Sequence, residues 1–97
     1  MKVSNMTSSN GNKIATQFII EDCTIPAIRD RGTMFQSYSS NIVFKYWHDG
    51  TKHVLLDRDN WDYSRTTGKY RNQFLEETKA ETQKKIDSGE YILTNLN

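Results

Sequence analysis

Residues 41–56, NIVFKYWHDGTKHVLL, decide the fold class. Two runs rich in β-branched and aromatic residues flank Asp49-Gly50, the pair most compatible with a two-residue turn that needs positive φ twice. A turn there sets the register. His48 falls opposite Thr51, Trp47 opposite Lys52, Tyr46 opposite His53, Lys45 opposite Val54 and Phe44 opposite Leu55. Phe44 and Leu55 then mark the core face. Trp47 and Lys52 stack on the other face, an exposed cation–π pair worth about 0.5–1 kcal/mol. The same reading sends His48 and His53 to opposite faces, so that they share no metal ion.

C-terminal to the hairpin, the period changes from two to that of a helix. Over residues 64–75, Thr67, Tyr70 and Phe74 fall within an arc of about 60° that also takes in Tyr63, while Arg65, Lys69, Asn72 and Gln73 lie on the other side. Gly68 inside this helix costs about 1 kcal/mol relative to Ala. A second helix starts at Thr78-Lys79-Ala80-Glu81, a capping-box pattern. It ends before Gly89, which supplies a left-handed residue after Ser88. Ala80 and Ile86 are its core candidates. Residues 91–93, YIL, return as a short strand.

N-terminal to the hairpin, residues 13–20, KIATQFII, alternate as a strand. Residues 21–32 read as a loop broken by Pro26 and closed by Gly32, Met34 to Ser37 as a short strand, and Ser39-Ser40 as a turn. Residues 1–12, rich in Ser, Asn and Gly, read as a loose lead-in. The whole is one domain, 1–97, of the α+β class: a single antiparallel sheet of about four strands with two short helices packed on one face.

Composition excludes several classes of function. The net charge is +1 across 97 residues, whereas a dedicated duplex-binding protein carries a strong basic excess. Apolar residues make up 35% and charged residues 26%, a polar but foldable balance in which two Trp, five Tyr and four Phe supply much of the core. Cys23 is the only cysteine, which fits a reducing compartment such as the cytoplasm. No apolar run matches a secretory signal or a membrane span.

Catalytic patterns are equally sparse. Asp57-x-Asp59-x-x-Asp62 begins like a calcium loop, but its sixth position is Asp62 where Gly is needed and its twelfth is Gly68 where Glu is needed. Glu77-x-Lys79, with Asp57 upstream, echoes a metal-dependent nuclease signature that belongs on a strand, not at a helix start. No base stands at a recognisable spacing from Cys23, Ser64 or Thr66. The expectation is therefore no catalytic residue, no metal site and no cofactor. The segment with chemistry is the interleaving of Trp61, Tyr63, Arg65, Lys69, Tyr70 and Arg71, rings among cations. Such a pattern suits single-stranded nucleic acid; the plainer reading is a helix whose Tyr63, Tyr70 and Phe74 face the core and whose Arg65 and Lys69 face solvent, with Trp61 either a core plug or an exposed anchor.

The stretches WDYSRTTGKYRNQFL (residues 61–75) and ETKAETQKKIDSGEYILTNLN (residues 77–97), with SNMTSSNGNKIATQFII (residues 4–20) and FQSY (residues 35–38), resemble a group of small uncharacterised proteins of tailed bacteriophages, notably phages of gut bacteria. The resemblance departs at residues 21–32. It implies a phage-encoded accessory protein working in the host cytoplasm by stoichiometric binding, with no site residues to carry over.

Together these readings point to a non-catalytic binder. The first expectation is an inhibitor or modulator of a host protein, contacting it through Trp47, Trp61, Arg65, Lys69 and Asn72, with Trp and Arg as anchors. The second is a single-stranded nucleic-acid binder using the same helix face. The third is a sponge that sequesters a nucleotide signal.

Overall fold

A computed structural model describes residues 1–97. The chain is α+β: β1 (Lys2–Thr7), β2 (Lys13–Ile25), β3 (Ile28–Ser37), β4 (Ser40–His48), β5 (Thr51–Asp57), α1 (Arg65–Leu75), α2 (Lys79–Asp87) and β6 (Tyr91–Thr94). The strands form one six-stranded sheet in sequence order. All neighbours are antiparallel except β5 and β6, which are parallel. The sheet is therefore mixed and larger than the expected four-stranded antiparallel one. Parallel neighbours need a long crossover, and the α1–α2 pair between β5 and β6 supplies it. No helix is long and apolar enough to cross a membrane.

The hairpin of β4 and β5 has the expected register, from His48↔Thr51 to Phe44↔Leu55, with Asp49 and Gly50 both at positive φ. Its faces differ from expectation. The main core, under the helices, takes Val43, Val54 and Leu56. Phe44, fully buried, lies in a smaller cluster with Met34 and Leu96, against which Leu55 packs. Ile42, Val43 and Phe44 are all buried, so alternation cannot show which face carries the helices. Lys45 sits 4.4 Å from the Phe74 ring centre; Trp47 makes no such contact with Lys52. His48 and His53 share a face, with ring centres 6.5 Å apart, contrary to expectation. Tyr46 opposes His53, and His48, two residues on, points the same way.

Residues 1–12 are not a loose lead-in. Lys2–Thr7 pairs with β2, Met6 enters the core, and the Asn5 carboxamide donates to the Ile14 carbonyl at 2.9 Å. An edge strand buries little, so its polar composition is compatible with pairing. The segment at 21–32 is not a loop either. β2 continues to Ile25 and β3 begins at Ile28 across a Pro26-Ala27 turn. A register shift after Ile20, with Asp22 at φ 55°, absorbs the irregular pattern, and Arg31 is ion-paired to Asp22. The next turn falls at Tyr38-Ser39, one residue before the expected position.

α1 is capped by the Ser64 hydroxyl, which accepts from the Thr67 amide at 3.1 Å. Its buried side holds Thr67, Tyr70, Arg71, Phe74 and Leu75. Phe74 stacks on Phe35 at 5.7 Å, and burying such rings stabilises by roughly 2–3 kcal/mol each. Tyr63, expected on this stripe, precedes the helix and is 70% exposed. α2 has the expected capping box. Its core contacts are Thr82 and Ile86, and Ala80 is exposed.

Two buried carboxylates anchor the C-terminal half. Burial opposes ionisation of Glu77, but hydrogen bonds from Lys85, Thr82 and Tyr91 at 2.8, 2.5 and 2.8 Å outweigh it and hold its pKa below 4.5. Asp57 behaves alike, with the Leu96 amide and the Asn60 carboxamide overcoming burial to keep its pKa below 3.8. In the same cluster, burial and then Glu77 push the Tyr91 hydroxyl up to about 12. The hydrogen bond to Glu77 raises the pKa of Lys85. Lowered carboxyls stabilise fully above their unfolded pKa and lose that contribution as pH falls through the folded value; raised Tyr and Lys do so in reverse. The melting temperature should therefore fall below pH 4.5 and again above pH 10. Glu77→Gln should flatten the acid limb in a calorimetric pH series.

Candidate functional site

One side of α1, the loop before it and the start of α2 line a shallow, open cleft of about 650 Å³ with no apolar side chain in its lining. Three of its residues come from one helical row, since Arg65, Lys69 and Asn72 stand four and three apart. Gly68 lies between them, and Lys79 reaches in from the start of α2. Arg71 forms part of the wall although its side chain is only 1% exposed. Four cations thus surround a space that contains one carboxylate, Asp62.

That carboxylate is already committed twice. It meets Lys79 Nζ at 2.6 Å and Arg71 Nη1 at 3.4 Å. The Lys79 ammonium holds the Asp62 carboxyl below its usual range, against partial burial that opposes ionisation, with Arg71 adding to the effect. Arg71 is otherwise bound by neutral groups: Nη1 donates to the Trp61 carbonyl at 2.6 Å and Nη2 to Asn72 Oδ1 at 3.0 Å, while Nε, fully buried, has no partner. A buried guanidinium with half a counter-ion leaves a net positive field in the cleft. Arg65 and Lys69 add exposed charge to it.

The structure thus brings Arg65, Lys69 and Asn72 together and leaves the two tryptophans out. Trp47 is 53% exposed near the hairpin tip and lines no cavity. Trp61 packs partly buried against the main core, its ring 5.2 Å from the Arg71 guanidinium. The indole therefore helps to seat Arg71. The sequence reading missed the special position of Arg71, since it places the residue among the interleaved cations and assigns it to neither side of the helix. It also missed Lys79, which lies ten residues from Lys69 and joins the cleft only through the α1–α2 turn. The 65/68/69/72 spacing was the available signal for the rest of the lining.

Elsewhere the chemistry is quiet. Asp57 and Glu77 are tied up in structural hydrogen bonds, and Lys79 is paired with Asp62, so the nuclease-like set is not assembled. No three His, Cys, Asp or Glu side chains gather closely enough to hold a metal ion. Cys23 is half-buried between the Ile20 and Gly32 carbonyls, and burial raises its thiol pKa. An apolar hollow of about 430 Å³ opens on the sheet face opposite the helices. Its rim asparagines Asn41 and Asn97 are hydrogen-bonded to each other.

No curated protein and no solved structure matches the chain. The model of a family described as a family of unknown function, DUF8033, matches residues 1–90. By that match, which spans nearly the whole sequence, the chain belongs to the DUF8033 family.

Proposed function

We propose that the protein acts by stoichiometric binding and docks the cationic cleft of α1 on an acidic surface of a partner protein, as an inhibitor or modulator of a host protein would. The observation that carries this reading is the imbalance of four cations against one shared carboxylate in a cleft without apolar lining. Nothing in the cleft prepares bond-making. Its one hydroxyl, Ser64, caps the helix, and no base adjoins it. Arg65 and Lys69 stand on a rigid helix, so little ordering entropy opposes their use as contacts. The single-stranded nucleic-acid alternative is weakened by the rings. Tyr70 is buried and Trp61 is partly buried against the core, so of the rings in this segment only Tyr63 stands well exposed, too few for successive bases to stack along the helix.

The test is capture of a partner from lysate of the host cells by tagged protein. Wild type should retain one protein at fixed stoichiometry. The double reversal Arg65→Glu/Lys69→Glu should weaken retention about 100-fold or more, with an unchanged melting temperature. Retention unaffected by the reversal removes the cleft from the interface. Turnover of a substrate by the purified chain removes the binding reading altogether.

A further inference from the structure

We infer that the cationic cleft and the cavity next to it form one composite pocket for a small phosphorylated ligand carrying a planar ring, of the mononucleotide class. The inference rests on the cleft being a binding site, not on the partner being a protein.

Gly68 stands in the middle of α1. Its backbone is helical, so no positive φ requires glycine there, and the residue costs the helix about 1 kcal/mol. A Cβ added to it would meet no backbone atom, only the Arg71 guanidinium, at 3.7–4.0 Å. The missing side chain therefore leaves Arg71 as the floor of a notch flanked by Arg65 and Lys69. That floor is a buried charge whose Nη1 and Nη2, the atoms nearest Gly68, already donate to Trp61, Asp62 and Asn72, and whose one counter-ion, Asp62, is shared with Lys79. A dianionic phosphoryl group in the notch would supply the missing negative charge, and cations in fork and point geometry suit its oxygens.

A second cavity adjoins the cleft. It measures about 500 Å³, shares Ser64 with the cleft, and has no charged side chain in its lining. Two exposed tyrosines, Tyr38 and Tyr63, stand in it among the hydroxyls of Ser39, Ser40 and Thr66. Tyr38 is held at φ 55° in the β3–β4 turn, a left-handed conformation that costs a bulky residue of order 1 kcal/mol. The turn is fixed by the Tyr38 amide donating to Thr16 at 2.7 Å and the Gln36 carboxamide donating to the Tyr38 carbonyl at 2.8 Å. Rings offer stacking and hydroxyls offer hydrogen bonds to a sugar or base edge. The charges thus lie on one side of Ser64 and the rings on the other, as the two ends of a nucleotide would require.

Titration calorimetry of the purified chain at low salt tests this with the four ribonucleoside 5′-monophosphates, their nucleosides, inorganic phosphate and a ten-residue oligothymidylate. At least one mononucleotide should bind at one per chain. Its nucleoside and inorganic phosphate should each bind at least about tenfold more weakly. Tyr63→Ala should lower affinity about tenfold, with Tyr63→Phe close to wild type. Gly68→Ala should raise the melting temperature and still weaken binding, so lost affinity cannot be lost folding. The inference is overturned by no binding, by phosphate binding as tightly as the mononucleotide, by indifference to Tyr63→Ala, or by the oligonucleotide binding best. If any of these occurs while charge-dependent partner capture persists, the docking reading stands without the pocket. If capture also fails, the cleft is no binding site.

Discussion

Gly32→Ala is expected to destabilise the chain by about 3 kcal/mol or more, seen as a lower urea midpoint or as a failure to accumulate folded protein. Gly32 lies inside the sheet, paired with Cys23 of β2 on one side and Tyr46 of β4 on the other. A Cβ there would overlap the carbonyl oxygen of Lys45 and lie 2.7 Å from the tip of the Phe44 ring. The ring is itself fully buried, and the carbonyl is backbone, so neither yields without moving β4. A domain of this size holds only about 5–10 kcal/mol in reserve, so one displaced strand removes a large part of it. Gly50→Ala is the control. Gly50 has positive φ but open space around it, so its replacement should cost only about 1 kcal/mol.

Arg71→Ala is expected to cost about 3–4 kcal/mol, a fall in melting temperature of roughly 15 °C or more. The side chain is among the largest that are fully buried. It bridges the Trp61 carbonyl, Asp62 and Asn72, with the Trp61 ring beside its guanidinium. Truncation opens a cavity and strips a buried carbonyl of its donor. Arg71→Met refills the volume and should recover part of the loss; Arg71→Lys keeps the charge but cannot reach in three directions, and should recover less than its charge suggests. Equal stability of Arg71→Ala and wild type in urea would mean that the guanidinium does not organise the turn into α1.

What the sequence made legible was local. The Asp49-Gly50 turn dictates its own register and the Thr78–Glu81 box its own helix start, because each needs only neighbours in the chain. What it concealed was set by distant contacts. β1 looks like solvent-facing polar sequence until Met6 is seen under α1. The irregular stretch at 21–32 becomes continuous strand once a shifted register absorbs Asp22. β6 was placed correctly but not its direction, although two helices between it and β5 already imply a crossover. In the candidate site, Arg65, Lys69 and Asn72 were visible as one helical row. Arg71 was not, because nothing in a cation's identity says that Trp61 and Asp62 will fold over it.

Amide NMR decides whether the α1 cleft is where this chain meets a partner. The labelled protein is titrated at low salt with a short glutamate-rich peptide as a probe of acidic surfaces. Saturable shifts are expected at Arg65, Gly68, Lys69, Asn72 and Lys79, vanishing at high salt. Shifts scattered over exposed lysines such as Lys2, Lys13, Lys52 and Lys84, or none at the cleft, would contradict it.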